Sequence, residues 1–422
     1  MKRNYRKIVS LALTTLSTSC LLTTYTTASA VAQEGLKIGT LVPTTGDLSS
    51  IGQNMPLAAD LAVETINACG GVNGQPVTIV HEDSQTDPAA GASAMTKLAE
   101  VDRVAGVVGA FASSVSTAAV DTAVRNQIML ISPGSTSPVF TERAQNGDFN
   151  GFWARTAPPD TYQAQALAAL VNQQGLTRVS TVVINNDYGV GFERQFVESF
   201  EGLGGTVVNR DNPVRYEPRA TSLDTEAAAA FGGDAEGVAA VLYAETGSIL
   251  LQSAFKQGLS ENVTVFLTDG VFSPDFVEQV GKTADGKSII AGSLGTVPGA
   301  SGTGLDDFTA LWQASTGKEV SAFVPHTWDA TVLLMLAAEA AQSNTGEGIR
   351  DKIREVANAP GVEVSDPCEA IALIRDGQEI NYQGASGNVD IDENGDVIGN
   401  YDVWRVNEDG TLEVIDTVAP AP

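Results

Sequence analysis

Three short segments carry the residues with chemistry to offer: Gly109-Ala-Phe-Ala-Ser113-Ser114, Ser132-Pro-Gly134-Ser135-Thr136 and Thr268-Asp269-Gly270. The first two place small hydroxyl side chains beside backbone amides at what reads as a helix start. That combination can donate several hydrogen bonds to a carboxylate without a full positive charge. The third supplies a carboxylate suited to an ammonium group. Ordinary helix capping would account for either hydroxyl cluster alone; finding all three at strand ends favours a ligand that carries both signs. Two further patterns resemble catalytic or metal motifs and fail on context. Gly281-Lys-Thr-Ala-Asp-Gly286-Lys287-Ser288 spells a phosphate-binding loop, but it follows a helical segment and precedes a strand-like one, the reverse of the order that aims amides and helix dipole at a phosphate. It reads as a turn. Asp390-x-Asp392-x-Asn394-Gly395-Asp396 begins like a calcium loop, yet Tyr401 stands where the twelfth position needs a bidentate Glu, so a hairpin turn is expected. The two histidines, His81 and His326, and the absence of H-E-x-x-H and G-x-S-x-G give hydrolysis or metal catalysis little to work with. The chain is expected to perform no chemistry and to need no cofactor or metal.

The elements that must position these segments follow a steady rhythm. Leu36–Val42, Val77–His81, Val104–Val108 and Ile128–Ser132 read as strands alternating with helices over Gln53–Asn67, Pro88–Glu100 and Ser116–Arg125. After a Pro-, Asn- and Gly-rich stretch, the alternation restarts with a helix over Tyr162–Gln174 and strands at Val179–Ile184, Thr206–Val208, Val238–Leu242 and Val263–Leu267. A long apolar helix near Thr327–Ala341 and a β-rich tail over Val389–Ile415 follow. The fold class is therefore α/β, with two doubly wound parallel-sheet lobes, and ligands of such sheets bind at the carboxyl ends of the strands.

The first thirty residues stand apart. Basic Lys2, Arg3, Arg6 and Lys7 precede an apolar run, Ile8–Leu22, that ends at Ala28-Ser29-Ala30, the pattern of a cleaved export signal. Residues 1–30 are expected to be a signal peptide, with lipidation at Cys20 a rival reading, and the mature protein is expected to be periplasmic. Without them the remaining 392 residues hold 20 basic and 51 acidic side chains, a net charge of −31. A surface that acidic repels phosphate backbones and anionic lipid, which argues against nucleic acid and membrane surfaces as partners. Cys69 and Cys368 are then the only cysteines; in an oxidising compartment they are candidates for a disulfide, with two separate buried thiols as the alternative.

At these residues the sequence resembles the branched-chain amino acid binding proteins of ABC transporters, which are type I periplasmic binding proteins. The likeness runs through Leu36-Lys-Ile-Gly-Thr-Leu-Val-Pro-Thr-Thr-Gly46, Ile66-Asn-Ala-Cys-Gly-Gly71-Val-Asn-Gly74, Asp83, Asp87-Pro88, Ile131-Ser-Pro-Gly-Ser-Thr136, Asn186-Asp-Tyr-Gly189 and Thr268-Asp-Gly270. The resemblance implies lobes joined by three crossovers, placed near Arg155, Ala291 and Gly384, so that residues 31–155 with 292–384 form one lobe and 156–291 with 385–422 the other. It also puts Cys69 and Cys368 in the same lobe. By family pattern Ser113 and Thr136, with backbone amides near Ser113, Ser135 and Thr136, take a ligand carboxylate; Asp269, with Glu245 as a second candidate, takes an ammonium, and Tyr188 covers the ligand. Ile51 stands where leucine-binding members carry an aromatic, and Asp269 is one methylene shorter than the Glu of some members. Phe111, Tyr243, Phe272, Phe323 and Trp328 are candidate walls or core. The implied role is a monomeric solute-binding protein that hands an amino acid to an ABC permease; rival readings are an amide, urea or aromatic acid as ligand, or a membrane receptor as partner.

Overall fold

The computed structural model describes residues 35–420, together with Met1. Apart from Met1, the expected signal peptide and Cys20 lie outside the described residues. Strands β1 (Lys37–Val42), β2 (Thr78–Asp83), β3 (Gly106–Gly109), β4 (Met129–Ser132) and β5 (Trp153–Arg155) form a five-stranded parallel sheet in the order β2-β1-β3-β4-β5. Helices Met55–Ala68, Val324–Ala340 and Gly346–Ala357 cover one face, and helices Pro88–Lys97 and Ser113–Arg125 the other. The Val324–Ala340 helix is buried almost throughout, from Val324 to Glu339, which explains why its apolar residues surround it and mark no single stripe.

The second sheet contains β6 (Arg178–Ile184), β7 (Thr206–Val207), β8 (Val214–Tyr216), β9 (Gly237–Val241), β10 (Thr264–Leu267) and β11 (Leu294–Pro298). A small parallel pair, β12 (Val362–Val364) and β13 (Ile380–Tyr382), stands apart. Strands β14 (Tyr401–Val406) and β15 (Leu412–Val418) extend the second sheet antiparallel, in the order β15-β14-β11-β10-β9-β6-β7. Both sheets are doubly wound, as the alternation of elements predicts.

Two of the three crossovers lie elsewhere than the sequence suggests. The first follows β5, at Arg155. The second follows Pro298 and not Ala291, because β11 pairs with β10 through Phe266↔Leu294 and so belongs to the second sheet. The segment expected as a strand, Ser288–Ala291, makes only an isolated bridge from Ser288 to Lys282. The third crossover comes after Val397 and not Gly384, since Val389, Ile391 and Val397 are buried in the core of the first sheet. The proposed lobe boundaries shift accordingly.

Local details follow from residue type. Asp87 caps the Pro88 helix by accepting from Ala90 N at 2.8 Å. The phosphate-loop look-alike is a turn after helix Pro274–Val280, and its Lys287 pairs with Glu408 at 2.8 Å. Cys69 and Cys368 form a disulfide between the end of the Met55–Ala68 helix and the helix Pro367–Arg375.

Candidate functional site

The carboxyl ends of β3, β4, β6, β9 and β10 converge on one buried cluster. On the first-sheet side the helix Ser113–Arg125 begins at Ala112, which offers no side-chain cap, so the amides of Ser113 and Ser114 are left without an intrahelical partner, while those of Val115 and Ser116 donate to Ala112 O at 3.0 Å. Beside it, Thr136 is fully buried and its hydroxyl has no hydrogen-bond partner. Gly134 is obligatory here, because a Cβ would lie 2.1 Å from the Phe111 ring.

On the second-sheet side, Asn186 caps the helix Asp187–Gly202 through Gly189 N at 3.0 Å. A Cβ at Gly189 would lie 2.1 Å from the Ile184 carbonyl, so the helix start hugs the end of β6 and turns Tyr188 inward. The Tyr188 hydroxyl lies 2.8 Å from both Thr268 Oγ1 and Asp269 Oδ1, and its ring stacks on Tyr243 with centroids 5.6 Å apart. Gln163 Nε2 donates to Asp269 Oδ1 at 2.9 Å.

The decisive residue is Asp160, at the start of helix Asp160–Gln173 and therefore on the same face as Gln163 three residues on. It is fully buried, and neither carboxylate oxygen has a hydrogen-bond partner. Gln163 Oε1 and the Tyr243 hydroxyl are also unpartnered. Burial pushes the Asp160 carboxyl well above the usual range, the neighbouring charge of Asp269 pushes it further, and Thr136 and Arg155 offset this in part. Burial likewise raises Asp269, against the hydrogen bonds from Tyr188 and Gln163. Two carboxylates that share a dry site and repel one another form a cation trap.

A family model described as "Receptor family ligand binding region" matches residues 54–409. The chain belongs to this family. Its members are ligand-binding receptors and not enzymes, and the fold is that of the type I periplasmic binding proteins. The chemotactic signal transduction system substrate-binding protein BasB of Halobacterium salinarum is 27% identical over 398 residues, 90% of this chain and 89% of that one. Leucine binding protein LivK of Thermotoga maritima superposes with a TM-score of 0.76 at 24% identity, covering 91% of this chain and 99% of that one. LivJ of Streptococcus pneumoniae, a branched-chain amino acid transporter substrate binding protein in complex with isoleucine, superposes with a TM-score of 0.74 at 21% identity, covering 92% and 100%.

Within this receptor-family fold the sequence-predicted residues do not all meet in one place. Ser113, Thr136, Tyr188 and Asp269 come together at the cleft. The polar groups of Ser135 are engaged within the protein: its amide donates to Ser132 Oγ at 2.8 Å, and its hydroxyl contacts Ala110 O and Phe111 O, each at 3.0 Å, and Ser116 Oγ at 2.8 Å. It braces the loop. Glu245 is exposed at the rim, where Ser49 donates to it at 3.1 Å, and is not among the groups around Asp269. Ile51 and Phe323 are both buried, and Phe323 meets Phe111 edge-on at 5.0 Å. Of the other candidate walls, Trp328 belongs to the far core of the first sheet, against Phe308, and Phe272 packs on Trp404.

Sequence reasoning missed Asp160 and Gln163. An Asp in a first helical turn is what the helix dipole favours on any surface helix, so its type carried no signal; the D-x-x-Q spacing put both on one face, and only their burial singles them out. Also unforeseen is a contact that holds the two sides together. Asp47, after β1, accepts from Thr246 N at 2.8 Å and Thr246 Oγ1 at 2.6 Å. It thus caps the helix Ala244–Lys256, whose own cap residue Tyr243 provides no side-chain bond. Ser137 Oγ to Asp187 O at 2.8 Å and Arg219 to Asp87 at 2.9 Å add to this bridging. A separate open groove of 730 Å³ borders the Asp187–Gly202 helix, but its basic residues are paired, Arg194 with Glu142, Arg210 with Glu201 and Arg215 with Glu193.

Proposed function

We propose that this protein captures an aliphatic α-amino acid between its lobes and delivers it to the permease of an ABC importer. The carrying observation is the buried, unpartnered carboxylate of Asp160 beside Asp269, facing the uncapped Ser113 helix and Thr136. An ammonium between the carboxylates supplies the missing donors, and the ligand carboxylate takes the Ser113 and Thr136 hydroxyls with the amides around them. Tyr188 and Tyr243 close over the ligand. Support comes from the isoleucine held by LivJ and the leucine-binding name of LivK, both proteins of this fold.

On this reading the mature chain works outside the cytoplasm as a monomer; no helix among the described residues is long and apolar enough to cross a membrane. A second reading, a sensor that passes the closed form to a membrane receptor, is favoured by the chemotactic role in the name of BasB. Titration calorimetry of the mature protein with L-leucine, L-isoleucine, benzoate and urea tests the ligand class: binding of an amino acid is expected, and binding of benzoate or urea alone would overturn it. Co-purification with a permease or with a receptor separates the two partners.

A further inference from the structure

The Asp390-x-Asp392-x-Asn394-Gly395-Asp396 turn, which resembles half a calcium loop, has a different use. Asp392 Oδ1 accepts from Asn394 N at 2.8 Å and Asp396 N at 2.9 Å, so the turn is closed by its own side chain. Gly395 has φ +84°, and a Cβ there would lie 2.5 Å from the Trp153 carbonyl. The glycine therefore lets the turn press against β5, where Arg155 N donates to Gly395 O at 2.9 Å. The result aims the Asp396 carboxylate at Arg155.

Arg155 is completely buried. Its Nε donates to Asp396 Oδ1 at 2.7 Å, its Nη2 to Thr141 Oγ1 at 2.8 Å, and its Nη1 to the carbonyls of Ser135 and Ser137, each at 3.0 Å. Thr141 Oγ1 in turn donates to Asp396 Oδ2 at 2.6 Å. The Ser135 carbonyl and the Thr136 amide belong to one peptide plane, and in a trans peptide they point in opposite directions. Holding the carbonyl on the guanidinium therefore points the Thr136 N–H away from Arg155, and that N–H donates to no group among the described residues.

We infer that Arg155, locked by Asp396 and Thr141, is a positioning residue that fixes the Thr136 amide for the ligand carboxylate. It acts through the loop and does not touch the ligand. Arg155 ends β5 just before the first crossover, and Asp396 lies in the turn just before the third, so the clasp ties the carboxylate loop to β5 and to the segment that leads into β14. A planar guanidinium that holds two carbonyls and a carboxylate at once is not replaced by a lysine ammonium.

This inference rests on the amino-acid reading of the site, and the test separates the two. Wild type, Arg155→Lys, Asp396→Asn and the milder Thr141→Val are titrated with L-leucine and with L-leucinamide, which keeps the ammonium and lacks the carboxylate. Wild type is expected to prefer leucine strongly. The Arg155 and Asp396 variants should bind leucine about tenfold or more weakly while leucinamide changes little, so the preference collapses, with Thr141→Val falling between. A wild type without preference sinks the amino-acid reading itself. Variants that keep the full preference, or that lose both probes equally, overturn the positioning role. Thr141→Val, which leaves the buried ion pair intact, carries the test if the other two fail to fold.

Discussion

The two ends of the site are built on opposite principles. At the first-sheet end, around Ser113, Ser135 and Thr136, the donors are neutral and every supporting hydroxyl has a partner: Ser132, Ser135 and Ser116 lock to one another and to Ala110 O. Against it, Asp160 and Asp269 are buried acids whose carboxyls burial pushes up; Asp160 N donates to Thr136 O at 2.8 Å, while neither of its carboxyl oxygens has a hydrogen-bond partner. The first end is pre-organised at little electrostatic cost. The second carries a burial penalty that a bound cation or a proton relieves, and the carboxyls of Asp160 and Asp269 are raised there.

The sharpest way to break this contrast is at the charged end. Asp269→Ala is expected to weaken L-leucine binding by about 100-fold or more, since one partner of a buried charge pair is removed, measured by calorimetry. Asp160→Asn should also weaken binding yet raise the melting temperature of the ligand-free protein, on the order of 2–4 °C, because the cost of burying an ionisable acid without a partner is gone; a fall in stability would show that Asp160 is a structural residue.

Acid should act at the same end. Both carboxyls are raised in the free protein, and a bound ammonium holds them ionised, which lowers their pKa in the complex. Affinity is therefore full above the raised free-state values and lost as pH falls through them, by about tenfold per pH unit for one proton. Calorimetry in buffers of different ionisation enthalpy should detect protons released on binding; affinity that is flat with pH would place the ammonium elsewhere.

Between the two ends, Asp47→Ala removes the cap that the first lobe lends to the Ala244 helix. It should weaken leucine by about tenfold and enlarge the radius of gyration of the bound form in solution scattering. The smallest effect is expected of Glu245→Gln, within about twofold, since exposed groups of this kind contribute little.

The strand ends, and with them where Ser113, Thr136, Tyr188 and Asp269 sit in the fold, were legible because strand-to-helix alternation and turn chemistry are local. What Ser135 and Glu245 bond to was not legible, because their partners, the Phe111 carbonyl and Ser49, lie on other elements. The crossovers at Pro298 and Val397 depend on which distant strand β11 joins and which core takes Val389, and neither leaves a mark in the local pattern. Arg155 looked like a place in the chain and Asp396 like a turn; their meeting, 241 residues apart, is a product of the fold.

The disulfide between Cys69 and Cys368 has a topological consequence. The two residues are 299 positions apart, and strands β2 to β12 lie between them. Most of the first sheet and the whole parallel part of the second hang from the crosslink as one closed loop. Pulled by its two ends, the oxidised chain transmits force across the bridge and spares everything inside the loop. A protease nick in any loop between the cysteines likewise leaves two pieces that travel as a single band until reductant is added.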